Sequence, residues 1–322
     1  MVSKYRRFIT DIDSVTEKLQ KYGVAVIPNI LDEEECQNMI SGMWNTLEHI
    51  TQNMDIPIQR NNSTTWRTFY SLYPKHAMLL QNWDVGQSQF LWDLRQNPKI
   101  VDVFAKIWNV RRKELLVSFD GFSVHFPPET TNRGWFNNNW FHSDQSYTRN
   151  GFECIQGFVS ALDTEDGDAS LTVLPKSHKY HKRVAEEFNI TAKTDWYKLT
   201  PEQQTYYIEE LGCKPTSIKC TAGSLVLWDS RTIHCGTEAR KGRDTPKMRI
   251  VGYVSYMPRA QATQSMLTKK IKAFEDMRTT NHWAQKPKLF PRTPHTYGGE
   301  LPDIVAQNPP ILTNLGRKLA GY

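Results

Sequence analysis

The chain lacks any run of about 18 apolar residues, the length a helix needs to cross a bilayer, so no membrane span is expected. No apolar stretch follows the basic opening Met1-Val2-Ser3-Lys4-Tyr5-Arg6-Arg7, which argues against a secretory signal. Cysteine is scarce and odd in number. Cys36, Cys154, Cys213, Cys220 and Cys235 form no C-x-x-C pair, a pattern that fits free thiols in a reducing, cytoplasmic compartment rather than a disulfide framework. Cys213 and Cys220 have no second pair near them at zinc spacing. Zinc-finger, helix-turn-helix and RNP-type motifs are also missing, so nucleic acid is disfavoured as a partner. Neither internal repeats nor a low-complexity linker divides the sequence.

What is present can build a sizeable core: 322 residues, 39% hydrophobic and 11% aromatic, which excludes disorder. The net charge of +6 comes from scattered Lys and Arg, with short clusters at 179–183, 240–249 and 269–272, and reads as solvated surface. Residues 1–110 read as mainly helical. A short amphipathic helix over 11–21 precedes a strand at 24–28. Asp32 then caps a helix running to residue 50, with Glu35 completing a capping box and Cys36, Met39, Ile40, Met43, Trp44 and Leu47 forming its apolar stripe. Two further helices are expected at 87–95 and 98–109. Residues 59–82, polar and aromatic without clear period, read as a long loop that covers a site.

From residue 115 the character changes. Short apolar or alternating runs at 115–126, 140–144, 154–162, 169–174, 224–228 and 247–257 are separated by Gly, Asn, Asp and Pro, which suggests a sandwich or barrel. A polar helix at 200–211 is inserted late in this region, a closing helix is expected at 264–277, and the Pro-rich tail wraps the surface. One domain over 1–322 follows: a helical part (1–110), a β core (111–260), and a C-terminal helix with its tail (261–322).

The chemistry concentrates in Trp140-Phe141-His142-Ser143-Asp144. With 9 His and 17 Asp in the chain, roughly half of one His-x-Asp pair arises by chance, so the tripeptide alone carries nothing. Its surroundings do. On a strand, His142 and Asp144 point to one side and Ser143 to the other. A distant His234 would complete two nitrogens and one oxygen, the facial set of a non-haem Fe(II) oxygenase with positions left open. Arg249 opens an alternating strand and can hold a carboxylate through two parallel hydrogen bonds. Arg240 and Arg243 sit in a polar loop and read as a solvated turn. His178 and His125 are expected to be structural, and Asp229 with Arg231 a local ion pair. Trp135, Phe136, Trp140 and Phe141 read first as core, with a pocket wall as the alternative; Trp66, Arg67, Tyr70 and Tyr73 read first as loop packing, with closure over the substrate as the alternative. Residues 278–283 read as a docked helix terminus.

The sequence resembles the phytanoyl-CoA dioxygenase family of Fe(II)/2-oxoglutarate oxygenases from about Lys18 to Pro258. The pieces that carry the resemblance occur in family order: Tyr22-Gly23-Val24-Ala25-Val26 followed by Asp32-Glu33-Glu34; the metal segment at 140–144; Gly157–Leu162 followed by Ala169–Lys179; Gly223–His234; and Met248-Arg249-Ile250-Val251. Lys176 stands where the family usually has Gly, and the stretch from Pro175 to Gly223 is longer than a minimal member needs. The resemblance implies a mainly β fold with flanking helices (α+β), a double-stranded β-helix (jelly roll, cupin-like) core with an N-terminal helical buttress. It implies His142, Asp144 and His234 as iron ligands, Arg249 as the 2-oxoglutarate clamp, and Fe(II), 2-oxoglutarate and O2 as the reacting set. The expected outcome is hydroxylation of an unactivated C–H of a small molecule, with 2-oxoglutarate decarboxylated to succinate. Halogenating relatives have lost the acid that stands here as Asp144. An oxygenase acting on protein or nucleic acid, and a non-catalytic cupin-like binding protein, are the alternatives.

Overall fold

The computed structural model describes residues 5–135 and 139–322. Val15–Tyr22 forms the first helix and stops at Gly23, whose φ of 75° is the left-handed conformation that glycine adopts without steric cost. Val24–Ile27 follows as a strand. Glu33–Ile50 is the long helix, with the expected capping box: Glu35 N donates to Asp32 Oδ1 and Asp32 N to Glu35 Oε2, each at 2.9 Å. Gln89–Arg95 and Pro98–Trp108 complete the helical part.

Two antiparallel sheets form the β core. The larger runs in the order Val24–Ile27, Leu225–Asp229, Ile155–Ser160, Arg249–Pro258, Phe122–His125, Leu79–Leu80, with Leu115–Val117 paired to the far end of Arg249–Pro258. The smaller runs Tyr197–Lys198, His142–Ser143, His234–Thr237, Ser170–Val173, Thr216–Ser217.

Alternation along the strands sets the layers. Leu225 and Leu227 join Ile155, Val159, Ile250 and Val254 against the helices, where Met39, Met43, Trp44, Leu91, Val101 and Phe104 bury the same cluster. Val226 and Trp228, from the same strand, point the other way and pack with Phe158, Val251, Leu171 and Val173, so both sheets contribute to this inner layer. Beyond the smaller sheet, Phe141, Leu174, Ile233 and Cys235 are covered by Tyr147, Val184, Leu199 and Tyr207. All five cysteines are buried and free, and Cys213 and Cys220 belong to separate clusters.

The structure differs from expectation in several places, and of the run at 140–144 only His142–Ser143 is strand. The run at 115–126 is two strands, Leu115–Val117 and Phe122–His125. The loop at 59–82 contains a 3-10 segment, Ser63–Leu72, and the short strand Leu79–Leu80. The polar helix at 200–211 is α only over Pro201–Thr205 and continues as a π turn, Tyr206–Glu210. The tail closes on a helix, Asn314–Ala320, capped by Thr313 Oγ1 at 3.0 Å from Gly316 N. Among the described residues no helix is long and apolar enough to cross a membrane.

Candidate metal centre

His142 and His234 stand directly opposite each other on adjacent antiparallel strands, so their side chains emerge on the same face. Asp144 follows two residues after His142, its backbone N–H bonded to Ser230 O at 3.0 Å. One ligand atom from each of the three lies within 4.8 Å of the others, and all three residues are buried. Asp144 Oδ1 is 3.5 Å from His142 Nε2, and Asp144 Oδ2 is 3.3 Å from His234 Nε2. Ser143 turns away and donates to Gln145 O at 2.8 Å.

The remaining ring nitrogens decide what this cluster can do. His142 Nδ1 faces Trp140 O at 3.2 Å, and His234 Nδ1 faces Thr232 O at 2.9 Å. A carbonyl only accepts, so each Nδ1 carries the proton and each Nε2 keeps its lone pair toward the shared point. Hydrogen bonds of this kind fix the tautomer and orientation of metal-bound histidines. Burial pushes His142 below the ordinary imidazole range, which favours the neutral ligand form, against the pull of Asp144. Burial also opposes ionisation of Asp144. The neighbouring histidines, His142 first and then His282, outweigh it and hold the carboxyl well below its usual range. Two neutral imidazoles and one carboxylate gathered on one side are the donor set of Fe(II) oxygenases.

One partner of this set was not foreseen. Gln156, on Ile155–Ser160, donates through Nε2 to Asp144 Oδ2 at 2.9 Å and reaches Ser230 Oγ at 3.2 Å. Its amide fixes the carboxylate rotamer. Aromatic rings close the flanks. Trp140 stacks on His142, ring centroids 4.8 Å apart, and His76 stacks on the other side of Trp140 at 3.6 Å. Trp228 lies 5.3 Å from His234.

Arg249 projects into the inner layer beside Val251. Its guanidinium stands 5.0 Å over the Phe158 ring, and Nη1 donates to Ser123 Oγ at 3.3 Å. Phe158 is 5.9 Å from Trp228, so a continuous row of rings joins Arg249 to His234. The side chain is buried, yet among the described residues it has no ion pair. Arg243, by contrast, is held by Asp168 at 3.0 Å and Glu129 at 3.1 Å, and Arg240 is exposed.

The other sequence candidates fall into structural places. His178 Nε2 faces Gln20 O at 3.1 Å and ties its turn to the first helix. His125, opposite Arg249 in register, is fully buried with Nε2 3.5 Å from Glu238 Oε1, away from the cluster. Asp229 and Arg231 form the expected pair, Oδ2 to Nη2 2.6 Å and Oδ1 to Nε 3.0 Å. Trp66 packs between Trp44 and Phe126, Tyr70 lies against Phe69, and Tyr73 donates to Glu300 O. Phe141 is core, and Trp135 lies under Lys241. Phe136 lies outside the described residues. Trp283 is buried beside Cys154 and Met257, the docked terminus expected there.

A family model, Phytanoyl-CoA dioxygenase (PhyH), matches residues 19–245. The chain belongs to the phytanoyl-CoA dioxygenase family. Within this family it is 26% identical over 273 residues to Ava biosynthesis cluster protein O of Aspergillus versicolor, covering 83% of this chain and 84% of that protein. A solved Salmonella typhimurium LT2 protein, provisionally classed as an oxidoreductase, shares the fold with a TM-score of 0.54 at 14% identity, over 96% of this chain and 82% of the other. SnoN, the epimerase of nogalamycin biosynthesis solved with Fe3+, alpha-ketoglutarate and nogalamycin RO, aligns with a TM-score of 0.47 at 13% identity, over 77% of this chain and 83% of its own. The phytanoyl-CoA dioxygenase match spans all three candidate ligands and ends four residues before Arg249.

Proposed function

We propose that this protein is an Fe(II)- and 2-oxoglutarate-dependent dioxygenase that hydroxylates an unactivated C–H of a small molecule. One observation carries the reading: two imidazoles, locked into the same tautomer by backbone carbonyls, converge with a carboxylate held by Gln156. A fixed, charge-balanced set of this kind is what a redox metal needs, whereas a binding site without chemistry would not require it.

The sheet order supports a double-stranded β-helix. Taking Phe122–His125, His142–Ser143, Ile155–Ser160, Ser170–Val173, Thr216–Ser217, Leu225–Asp229, His234–Thr237 and Arg249–Pro258 as strands one to eight, the larger sheet contains the order six, three, eight, one. The smaller contains two, seven, four, five. These interleaved halves are consistent with the jelly-roll arrangement, and we read 1–322 as one domain around it. In this reading His142, Asp144 and His234 hold iron on the inner face of the smaller sheet. Arg249, on the inner face of the larger sheet, meets the distal carboxylate of 2-oxoglutarate with a two-pronged, charge-assisted contact. Phe158, Trp228 and Val251 keep the space between them dry, which strengthens that contact. Iron with 2-oxoglutarate and O2 supplies the oxidant: one oxygen atom goes to the substrate carbon, the other to succinate, and CO2 leaves.

Anaerobic titration with Fe(II) and 2-oxoglutarate tests the proposal. A weak visible charge-transfer band of the chelate is expected in the wild type and absent in Asp144→Ala and His234→Ala. A wild type without the band, or variants that keep it, would overturn the assignment.

A further inference from the structure

The stretch from Pro175 to Gly223, longer than the family needs, returns to the metal strand through Trp196 and Lys198. Tyr197–Lys198 pairs with His142–Ser143, and Lys198 stands directly opposite His142. Cross-strand partners share a face, so the Lys198 side chain leaves the sheet on the metal side, while Tyr197 turns back with Ser143 and packs on Tyr147, ring centroids 5.2 Å apart. Two residues before Lys198, Trp196 comes to the same face, its indole 5.8 Å from the His142 ring.

Trp196 is 52% exposed, an unusual state for the residue with the largest apolar surface to hide. It is nonetheless held in place. Asp195 pairs with Arg149 and accepts from Ser146 N at 3.2 Å, Ser146 Oγ donates to Ala192 O at 2.8 Å, and Leu199 N donates to Phe141 O at 2.9 Å. The segment is therefore anchored on both sides of an exposed indole, and the ordering cost of a binding edge is already met. Lys198 is exposed and forms no ion pair among the described residues. Lys198 acts electrostatically on His76, the outer ring of the His76–Trp140–His142 stack. The rim thus presents a flat aromatic face beside a cation.

We propose that Trp196 and Lys198 form the substrate-recognition edge of the metal site, and that the substrate class is a flat, unsaturated ring bearing an anionic group. The ring lies on Trp196 and the anion meets Lys198. This rests on the oxygenase reading above, because it takes the substrate to sit over the His142 side of the metal cluster.

The test uses the full chain, anaerobic and saturated with Fe(II) and 2-oxoglutarate, titrated by calorimetry with 1-naphthoate and with its neutral match, 1-naphthamide. Wild type is expected to bind the carboxylate about two- to fivefold more tightly than the amide, the effect of one exposed charge pair. Lys198→Met erases that preference and leaves naphthamide unchanged. Trp196→Leu weakens both ligands by about tenfold, and Trp196→Phe restores most of the loss, as stacking on a ring demands. Both side chains are exposed, so neither substitution threatens folding. Equal affinities for the two probes in wild type, a Lys198→Met protein that keeps the preference, or naphthoate that displaces 2-oxoglutarate and bleaches the chelate band would each overturn the proposal. A wild type that never forms the band fails the oxygenase reading itself, a different and separately visible result.

Discussion

Replacing Arg249 with Met should move two measurable quantities in opposite directions. The guanidinium is buried beside Phe158, Ser123 and Tyr253 and has no ion pair among the described residues. Its partners, one ring face, the Ser123 hydroxyl at 3.3 Å and the Tyr253 hydroxyl, return about 1 kcal/mol each. Removing a cation from water costs several kcal/mol even after relaxation. The protein without 2-oxoglutarate should therefore gain about 1 kcal/mol from Arg249→Met, an apolar chain of similar length. With 2-oxoglutarate the sign reverses. Loss of a buried charge-assisted pair costs about 2–5 kcal/mol, or roughly 30- to 5,000-fold in affinity. The assay is thermal unfolding with and without 2-oxoglutarate, beside calorimetric binding in Fe(II). Wild type should be stabilised by about 2.7 kcal/mol at a hundredfold excess over its Kd, and the variant by less than about 1 kcal/mol at that concentration. Iron binding itself should be unchanged. An Arg249→Met protein that is less stable alone and binds 2-oxoglutarate normally would refute the clamp.

Three further outcomes are expected. Gln156→Leu should weaken metal binding by about 10- to 100-fold without unfolding the protein, because Asp144 loses the amide that orients it; a Co(II) titration checks this. Lys176 sits at φ 72° where the family usually has glycine, so Lys176→Gly should raise stability by about 1 kcal/mol in urea unfolding. His181, stacked on Tyr147 with Nε2 at 3.1 Å from Ser146 O, is pushed down to about 4, mainly by burial. The unfolded chain takes up that proton near about pH 6.5. The contribution of neutral His181 is therefore full above about pH 6.5 and is lost as pH falls toward about 4, up to about 3 kcal/mol. His181→Phe should flatten that part of the acid limb in urea midpoints measured from pH 7 to 5, and an unchanged slope would count against it.

Much of the centre was legible because its signals are local. His142 and Asp144 stand two residues apart and converge, although Asp144 lies just past the two-residue strand His142–Ser143, and the Asp32–Glu35 box is a four-residue pattern that the structure reproduces. The departure at Lys176 is visible as a single residue, and its backbone answers it by adopting the glycine conformation. What stayed hidden depends on register between distant strands. Gln156 meets Asp144 only because Ile155–Ser160 and Leu225–Asp229 pair at one particular offset, which brings Ser230 and Gln156 together. Likewise His76 and Trp196 carry no pattern of their own. The first reaches the site through Trp140, and the second through the pairing of Lys198 with His142. The aromatic loop at 59–82 reads as a cover in the sequence, yet Trp66 and Tyr70 are half-buried against the helical core, and His76 is the part of that loop that reaches the ring stack.

The pairing of His142 across from His234 has a consequence for assembly. Those histidines lie 92 positions apart in the chain, joined through a single cross-strand pair. A slip of one residue in either strand would turn one imidazole to the opposite face and break the donor set. Binding energy at the metal is thus available only to chains whose smaller sheet has closed in the correct alignment, so the ion acts as a proofreader of strand alignment as well as a reagent. Refolding with a redox-inert divalent ion should enrich the correctly aligned sheet before any oxygen chemistry begins.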